Sequence, residues 1–248
     1  MRVRVVADST ADLDPATALS LGIEVVPIYV RWGRQTYRDG VDLTPGQFYR
    51  RLARLRIHPA TSQPGPDDFA RVFLADGTCD GIVSIHISSR ISGTYNSARL
   101  GAEAVGQQVP VAVVDSGLNS CGLAMVVLAA ARMAGEGGTL DDVAAEARRA
   151  CAETRMVGLF DTMKYLARGG RISPALALAA GVMRVKPVLT FRDGEIVRAG
   201  LVRSREAGMR RLLKLIGGMG SLRDVIVSHS TNRDELERFL LHLKDVYP

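Results

Sequence analysis

The chain of 248 residues is 47% apolar and 23% charged, a balance that supports a buried core throughout and excludes long disordered tracts. Its net charge of +6 comes from 32 basic against 26 acidic residues, spread along the chain rather than gathered in a stripe, so no nucleic-acid partner is expected. Cys79, Cys121 and Cys151 are odd in number, far apart and without a CxxC pair, which argues against a disulfide framework or a thiolate metal site and fits a cytoplasmic location.

The amino terminus enters a strand over 3–7 with no apolar leader ahead of it, so neither export nor anchoring is expected. A helix over 15–21, closed by Gly22, and a strand over 23–30 follow, the alternation that marks βαβ units and a parallel sheet. A turn over 38–41 leads to Thr44 and Pro45, a cap with proline at the first helical position, opening a helix to about 55. Further helices are expected over 66–74, 94–105, 118–134 and 140–152, the last capped by Thr139, with strands over 81–87 and 111–114. The apolar stretch 122–134 is too short to span a bilayer, so no transmembrane segment is expected, and transient contact with a membrane surface stays open.

Beyond about residue 155 the rhythm changes. A strand over 156–160 is followed by strands over 185–190 and 195–201 that flank the turn pair Asp193 and Gly194, the signature of a hairpin and of antiparallel pairing. Helices over 204–215 and 234–243, with a strand over 224–228 between them, complete the reading. The expected fold is therefore α/β: a doubly wound, mainly parallel domain over 1–155 and a smaller α+β domain over 156–248.

Hydroxyl residues stand where strands end and helices begin: Asp8, Ser9 and Thr10; Thr61 and Ser62 with Gln63; Ser88 and Ser89 with Ser92, Gly93 and Thr94. In a parallel sheet ligands bind at the carboxyl ends of the strands, and hydroxyls with amide N–H groups at a helix N-terminus suit a carboxylate or a phosphate. At any one position simple helix capping explains the hydroxyl equally well. Ser84, His86 and Ser88 share one strand face, and a base two residues away along a strand is expected to lie parallel to the serine rather than to point at it. No GxSxG elbow is present and His86 reads as a satisfied interior or cleft residue. His58, His229 and His242 show no ligand spacing, so no metal is expected, and the glycine runs lack the lysine of a P-loop. The loop YLARGGRIS at 165–173 sets two arginines around paired glycines, where a Schellman-type helix stop explains the glycines but not both arginines.

These residues resemble the DegV family, bacterial fatty-acid-binding proteins that include the binding subunits of fatty acid kinase. The carriers are ADSTADL at 7–13, VPIYV at 26–30, YRDGVDLTPGQFYRRL at 37–52, TSQPGPDDF at 61–69, SIHISSRISGTYNSAR at 84–99 and VVDS at 113–116, then LARGGRIS at 166–173, VKPVLTFRDGEI at 185–196 and VRSREAGMRRL at 202–212. The resemblance covers essentially the whole chain in order. It implies a non-enzymatic carrier, without cofactor, that holds a palmitate- or oleate-like fatty acid in a cleft between two domains for a fatty acid kinase subunit. Thr61, Ser62, Ser92, Gly93 and Thr94 would hold the carboxylate, Asp8, Ser9, Thr10 and His86 would shape the cleft, and Arg171 and Arg203 would face the partner. The apolar stretches 122–131 and 172–183 are candidate tunnel walls, although an all-round apolar helix is more often core. Family members continue past a final helix to a strand and a glycine-rich histidine motif, whereas this chain stops at Tyr247 and Pro248, from which a weaker or rebuilt carboxylate site is expected, with His229 or water as a substitute. The same hydroxyl-rich site leaves open an enzyme of phosphoryl transfer or hydrolysis.

Overall fold

In the computed structural model, residues 2–75, 79–173, 185–230 and 232–247 are described, and the chain divides into two compact units, Met1–Thr154 and Arg155–Pro248. The first is built on a four-stranded parallel sheet in the order β2-β1-β6-β7, from β1 (Val3–Asp8), β2 (Ile23–Val26), β6 (Gly81–His86) and β7 (Val111–Asp115). Every residue of β1 and β6 is buried, as expected of central parallel strands covered on both faces. On one face α3 (Pro66–Leu74) and α4 (Thr94–Val105) set Phe69, Phe73, Ala98 and Val105 against Val6, Val26 and Ile82. α5 (Ser120–Gly135) and α6 (Leu140–Glu153) also pack on the sheet, where Leu123, Val126, Val127 and Ala130 of α5 are fully buried. The stretch 122–131 is thus core of this unit.

The strand expected over 23–30 is two strands. Pro27 lacks the N–H a ladder needs, so β2 ends at Val26 and the chain leaves the parallel sheet to begin β3 (Tyr29–Trp32), the centre of a second, antiparallel sheet β4-β3-β5 with β4 (Gln35–Arg38) and β5 (Ala60–Ser62). α2 (Pro45–Arg54) seats Phe48 and Leu52 on this sheet beside Val30, Trp32 and Leu43. Its start is the expected cap made reciprocal: Gln47 N–H donates to Thr44 Oγ1 at 3.3 Å and Thr44 N–H donates to Gln47 Oε1 at 2.9 Å. A short α1 (Pro15–Ser20) links β1 to β2.

The second unit carries the antiparallel sheet β10-β9-β8, with β8 (Val157–Leu159), β9 (Lys186–Arg192) and β10 (Glu195–Val202). Asp193 and Gly194 turn the hairpin with φ of 51° and 80°, both positive as a type I′ turn requires. α7 (Lys164–Gly169) ends in a left-handed Gly170, with Arg171 N–H donating to the Leu166 carbonyl at 3.0 Å, the expected Schellman-type stop. α8 (Arg205–Gly217) and α9 (Arg233–Val246) pack Ile216, Phe239 and Leu243 over Val157, Met209 and Val227. The strand expected over 224–228 does not form: among the described residues this segment takes no ladder partner, and Val227 is spent on the helix core instead. From residue 174 on, the 172–183 stretch lies outside the described residues.

α3 and α4 approach so closely that a Cβ at Gly101 would stand 2.8 Å from Phe69 Cβ and from the Pro66 carbonyl oxygen. Gly101→Val is therefore expected to destabilise the fold by about 1–3 kcal/mol through overpacking, measured as a fall in the urea midpoint.

Candidate functional site

The parallel sheet changes its winding direction between β1 and β6: the chain runs outward from β1 to β2, then returns to the other side of β1 for β6 and β7. A doubly wound sheet opens a crevice at the carboxyl ends of such a pair. The residues that emerge there are Asp8 from β1 and His86 with the segment after it from β6.

Asp8 is fully buried, and its carboxylate organises the crevice. One oxygen accepts from the Thr10 N–H at 3.1 Å and from the Thr10 hydroxyl, turning Ser9–Ala11 into a single 3₁₀ turn. The other lies 3.1 Å from His86 Nδ1 and accepts the Ile87 N–H at 3.0 Å. Burial alone would raise this carboxyl group, but the bonds from His86, Thr10 and Ile87 outweigh it and hold Asp8 below the usual carboxylate range. Ser9 extends the network. Its hydroxyl donates to Asp39 Oδ2 at 2.8 Å and accepts the Ile28 N–H at 3.1 Å, tying the turn to the start of the second sheet.

His86 corrects an expectation. Its Nε2 stands 2.7 Å from Ser84 Oγ, so the base does point at the serine two residues back. The imidazole is long enough, and side chains on a strand lean far enough along it, to close a gap that Cβ directions alone leave open. Ser84, His86 and Asp8 thus form a serine–histidine–aspartate chain, but all three are 0% exposed and Phe69 covers the imidazole edge-on at 4.9 Å between ring centres. A nucleophile must meet its substrate, so this chain is internal scaffolding.

The other two hydroxyl clusters meet. β5 pairs Thr61 with Val30 and Ser62 with Tyr29, which leaves Thr61, Ser62 and Gln63 exposed. Beyond β6 the chain turns with Ile91 and Ser92 N–H groups donating to the Ser88 carbonyl, each at 3.1 Å. Ser92 Oγ then lies 2.8 Å from Thr94 Oγ1 and accepts the Thr94 N–H at 3.3 Å, opening the helix α4. The Gln63 amide rests against Gly93 so tightly that a Cβ there would fall 2.5 Å from it. The contact brings 61–63 to 92–94 and makes Gln63 part of the site, although sequence reasoning left it beside the two hydroxyls without a role. No local signal marks it, since its partner is thirty positions away. The result is a group of hydroxyls, an amide and helix N-terminal N–H groups with Thr94 buried and Thr61 and Ser62 open, donor chemistry of the kind that suits an anion. In the second unit Arg171, within the turn after α7, and Arg203, ahead of α8, are exposed.

A family model described as "Uncharacterised protein, DegV family" matches residues 2–248. A DegV domain-containing protein of Streptomyces coelicolor is 35% identical over 251 residues, spanning 99% of this chain and 88% of its own length. Among solved structures, a DegV family protein of Thermus thermophilus described by its fatty acid binding is 37% identical, with a TM-score of 0.80 over 88% of this chain and 78% of that one. DegV of Bacillus subtilis, described as a fatty acid binding protein, is 27% identical with a TM-score of 0.87 over 100% of this chain and 89% of that one.

Two expectations follow from the network. Removing the imidazole in His86→Ala strands the Asp8 carboxylate and should cost about 3–5 kcal/mol at neutral pH. Because the Asp8 carboxyl is depressed in the fold, its stabilisation is present above the ordinary carboxylate pKa and is lost as pH falls through the lowered one. The gap between wild type and variant should therefore narrow below about pH 4, which denaturant titrations at several pH values would read. Asp39 behaves oppositely: burial raises its carboxyl, with the Asp8 charge adding to this and the bonds from Ser9 and Gly40 opposing it. Its contribution is present at low pH and lost as pH rises through the raised value, so Asp39→Asn should be more stable than wild type at pH 7 and equal to it in acid.

Proposed function

Because the chain belongs to the DegV family, we propose that it is a carrier that binds one long-chain fatty acid, holding the carboxylate with the hydroxyls of Thr61, Ser62, Ser92 and Thr94 and the backbone at Gly93. The observation that carries this reading is the meeting of 61–63 with 92–94 through the Gln63 and Gly93 contact, in the segment that follows the carboxyl end of β6. The fatty acid binding described for the relatives of Thermus thermophilus and Bacillus subtilis supports the choice of ligand. The acyl chain enters an apolar tunnel. With some fourteen methylenes at about 0.8 kcal/mol each, it offers roughly 11 kcal/mol before the costs of association, so tight binding asks only a few hydrogen bonds of the head group.

The bound carboxylate is then presented to a separate kinase subunit that forms the acyl phosphate for phospholipid synthesis. Two observations favour this over catalysis within the chain. The serine–histidine–aspartate chain is sealed from solvent, whereas Thr61 and Ser62 are open to an incoming phosphoryl donor. The exposed arginines Arg171 and Arg203 suit an acidic partner surface.

The protein purified without added lipid and examined by native mass spectrometry should carry close to one fatty acid per chain, released and identified on denaturation. Loss of a hydrogen bond to a charged head group in Ser92→Ala or Thr61→Ala should weaken palmitate binding by about tenfold or more. An empty protein that also refuses palmitate and oleate in calorimetry would overturn the proposal.

A further inference from the structure

The face of α2 turned away from its sheet carries none of the residues proposed for the anion site. Arg50 and Arg54 lie one helical turn apart on that outer face, opposite Phe48 and Leu52, which pack inward. Past the helix end, the Trp32 indole N–H donates to the Ile57 carbonyl at 2.8 Å and pins this segment to the sheet. Leu55 and Ile57 are left 50% and 61% exposed, with the exposed Arg56 between them. The hairpin tip that carries Arg34 follows two residues after Trp32.

Residues 43–60 contain four arginines and no Asp or Glu. The carboxylates just before them are already engaged, Asp42 with Arg38 at 2.9 Å and Asp39 with Ser9. Among the described residues, Arg34, Arg50, Arg54 and Arg56 make no ion pair. An uncompensated cationic surface with two bare aliphatic side chains is matched by a partner that is anionic outside and apolar a few ångströms deeper. We infer that the outer face of α2 and the segment after it dock on the surface of an anionic lipid bilayer, with the guanidinium groups on lipid phosphates and Leu55 and Ile57 at the boundary between head groups and acyl chains. A nucleic acid would satisfy the arginines but gives the two aliphatic side chains nothing to bury against, and no aromatic side chain is exposed beside them to stack on bases. The inference rests on the carrier reading in one respect: a fatty-acid carrier has to exchange its ligand with a membrane.

The test is cosedimentation of the full chain with phosphatidylcholine vesicles, with and without phosphatidylglycerol. Binding is expected only with the anionic lipid and should weaken as salt is raised. At about fivefold per arginine, R50S/R54S/R56S should lose about a hundredfold in partitioning. L55S/I57S should also bind more weakly while keeping the salt dependence. All these side chains lie on the surface, so circular dichroism melts of the variants should match wild type. No association with the anionic vesicles, or association that both variants leave unchanged, overturns the inference. So does a change in sedimentation coefficient in the variants, which would assign the face to a second copy, or binding to duplex DNA without binding to vesicles. Fatty acid content is measured by mass spectrometry on the same preparations. A protein that binds vesicles but holds no fatty acid refutes the carrier reading and leaves the surface standing, whereas one that holds fatty acid and ignores vesicles does the reverse.

Discussion

The first unit is organised around one buried carboxylate. Asp8 ends β1 at the point where the sheet reverses its winding, and it can be ionised there only because donors from Thr10, Ile87 and His86 surround it. Those bonds do more than compensate a charge. They fix the turn after β1 to the end of β6, and through Ser9 they fix it to Asp39 and to Ile28, where the second sheet begins. A buried polar network that is fully satisfied specifies a unique arrangement, and one that loses a member is costly. The hydroxyls proposed to hold a head group stand on segments that leave this junction, so their positions descend from Asp8 without touching it.

Much of this was readable in the residues. The α/β class with antiparallel strands in the second unit, the caps at Thr44 and Thr139 and the turn at Asp193 and Gly194 are local signals, and each appears where its chemistry places it. What local signals missed has a common cause. The small sheet β4-β3-β5 depends on strands of three and four residues, too short for an alternating pattern to emerge, and on Pro27 acting as a break rather than as part of one long strand. The contact of His86 with Ser84 depends on a side-chain direction, which period-two reasoning does not supply. The segment 224–228 carries strand-forming residues but takes no ladder partner among the described residues, and pairing, not propensity, makes a strand. Gln63 acquires its place only from the approach of Gly93.

The division of labour in the first unit is consistent with a carrier. Its serine–histidine–aspartate chain is locked inside, Thr61 and Ser62 are open, and Arg50, Arg54 and Arg56 with Leu55 and Ile57 are exposed on and just after α2. Among the described residues no helix is long and apolar enough to cross a membrane. On the carrier reading no strained catalytic geometry is needed: a long acyl chain would supply most of the binding energy by burial, and the polar groups would only choose the end that stays accessible.

The most direct test of the central claim is the carbon NMR signal of a carboxyl-labelled palmitate bound to the protein, followed through a pH titration. Held by the hydroxyls and amides of 61–63 and 92–94, the carboxylate should give one bound resonance that stays ionised well below the pH at which free fatty acid protonates, and that moves when Ser92 or Thr61 becomes alanine. A resonance that titrates as it does in free fatty acid and ignores both substitutions would show that the head group lies elsewhere.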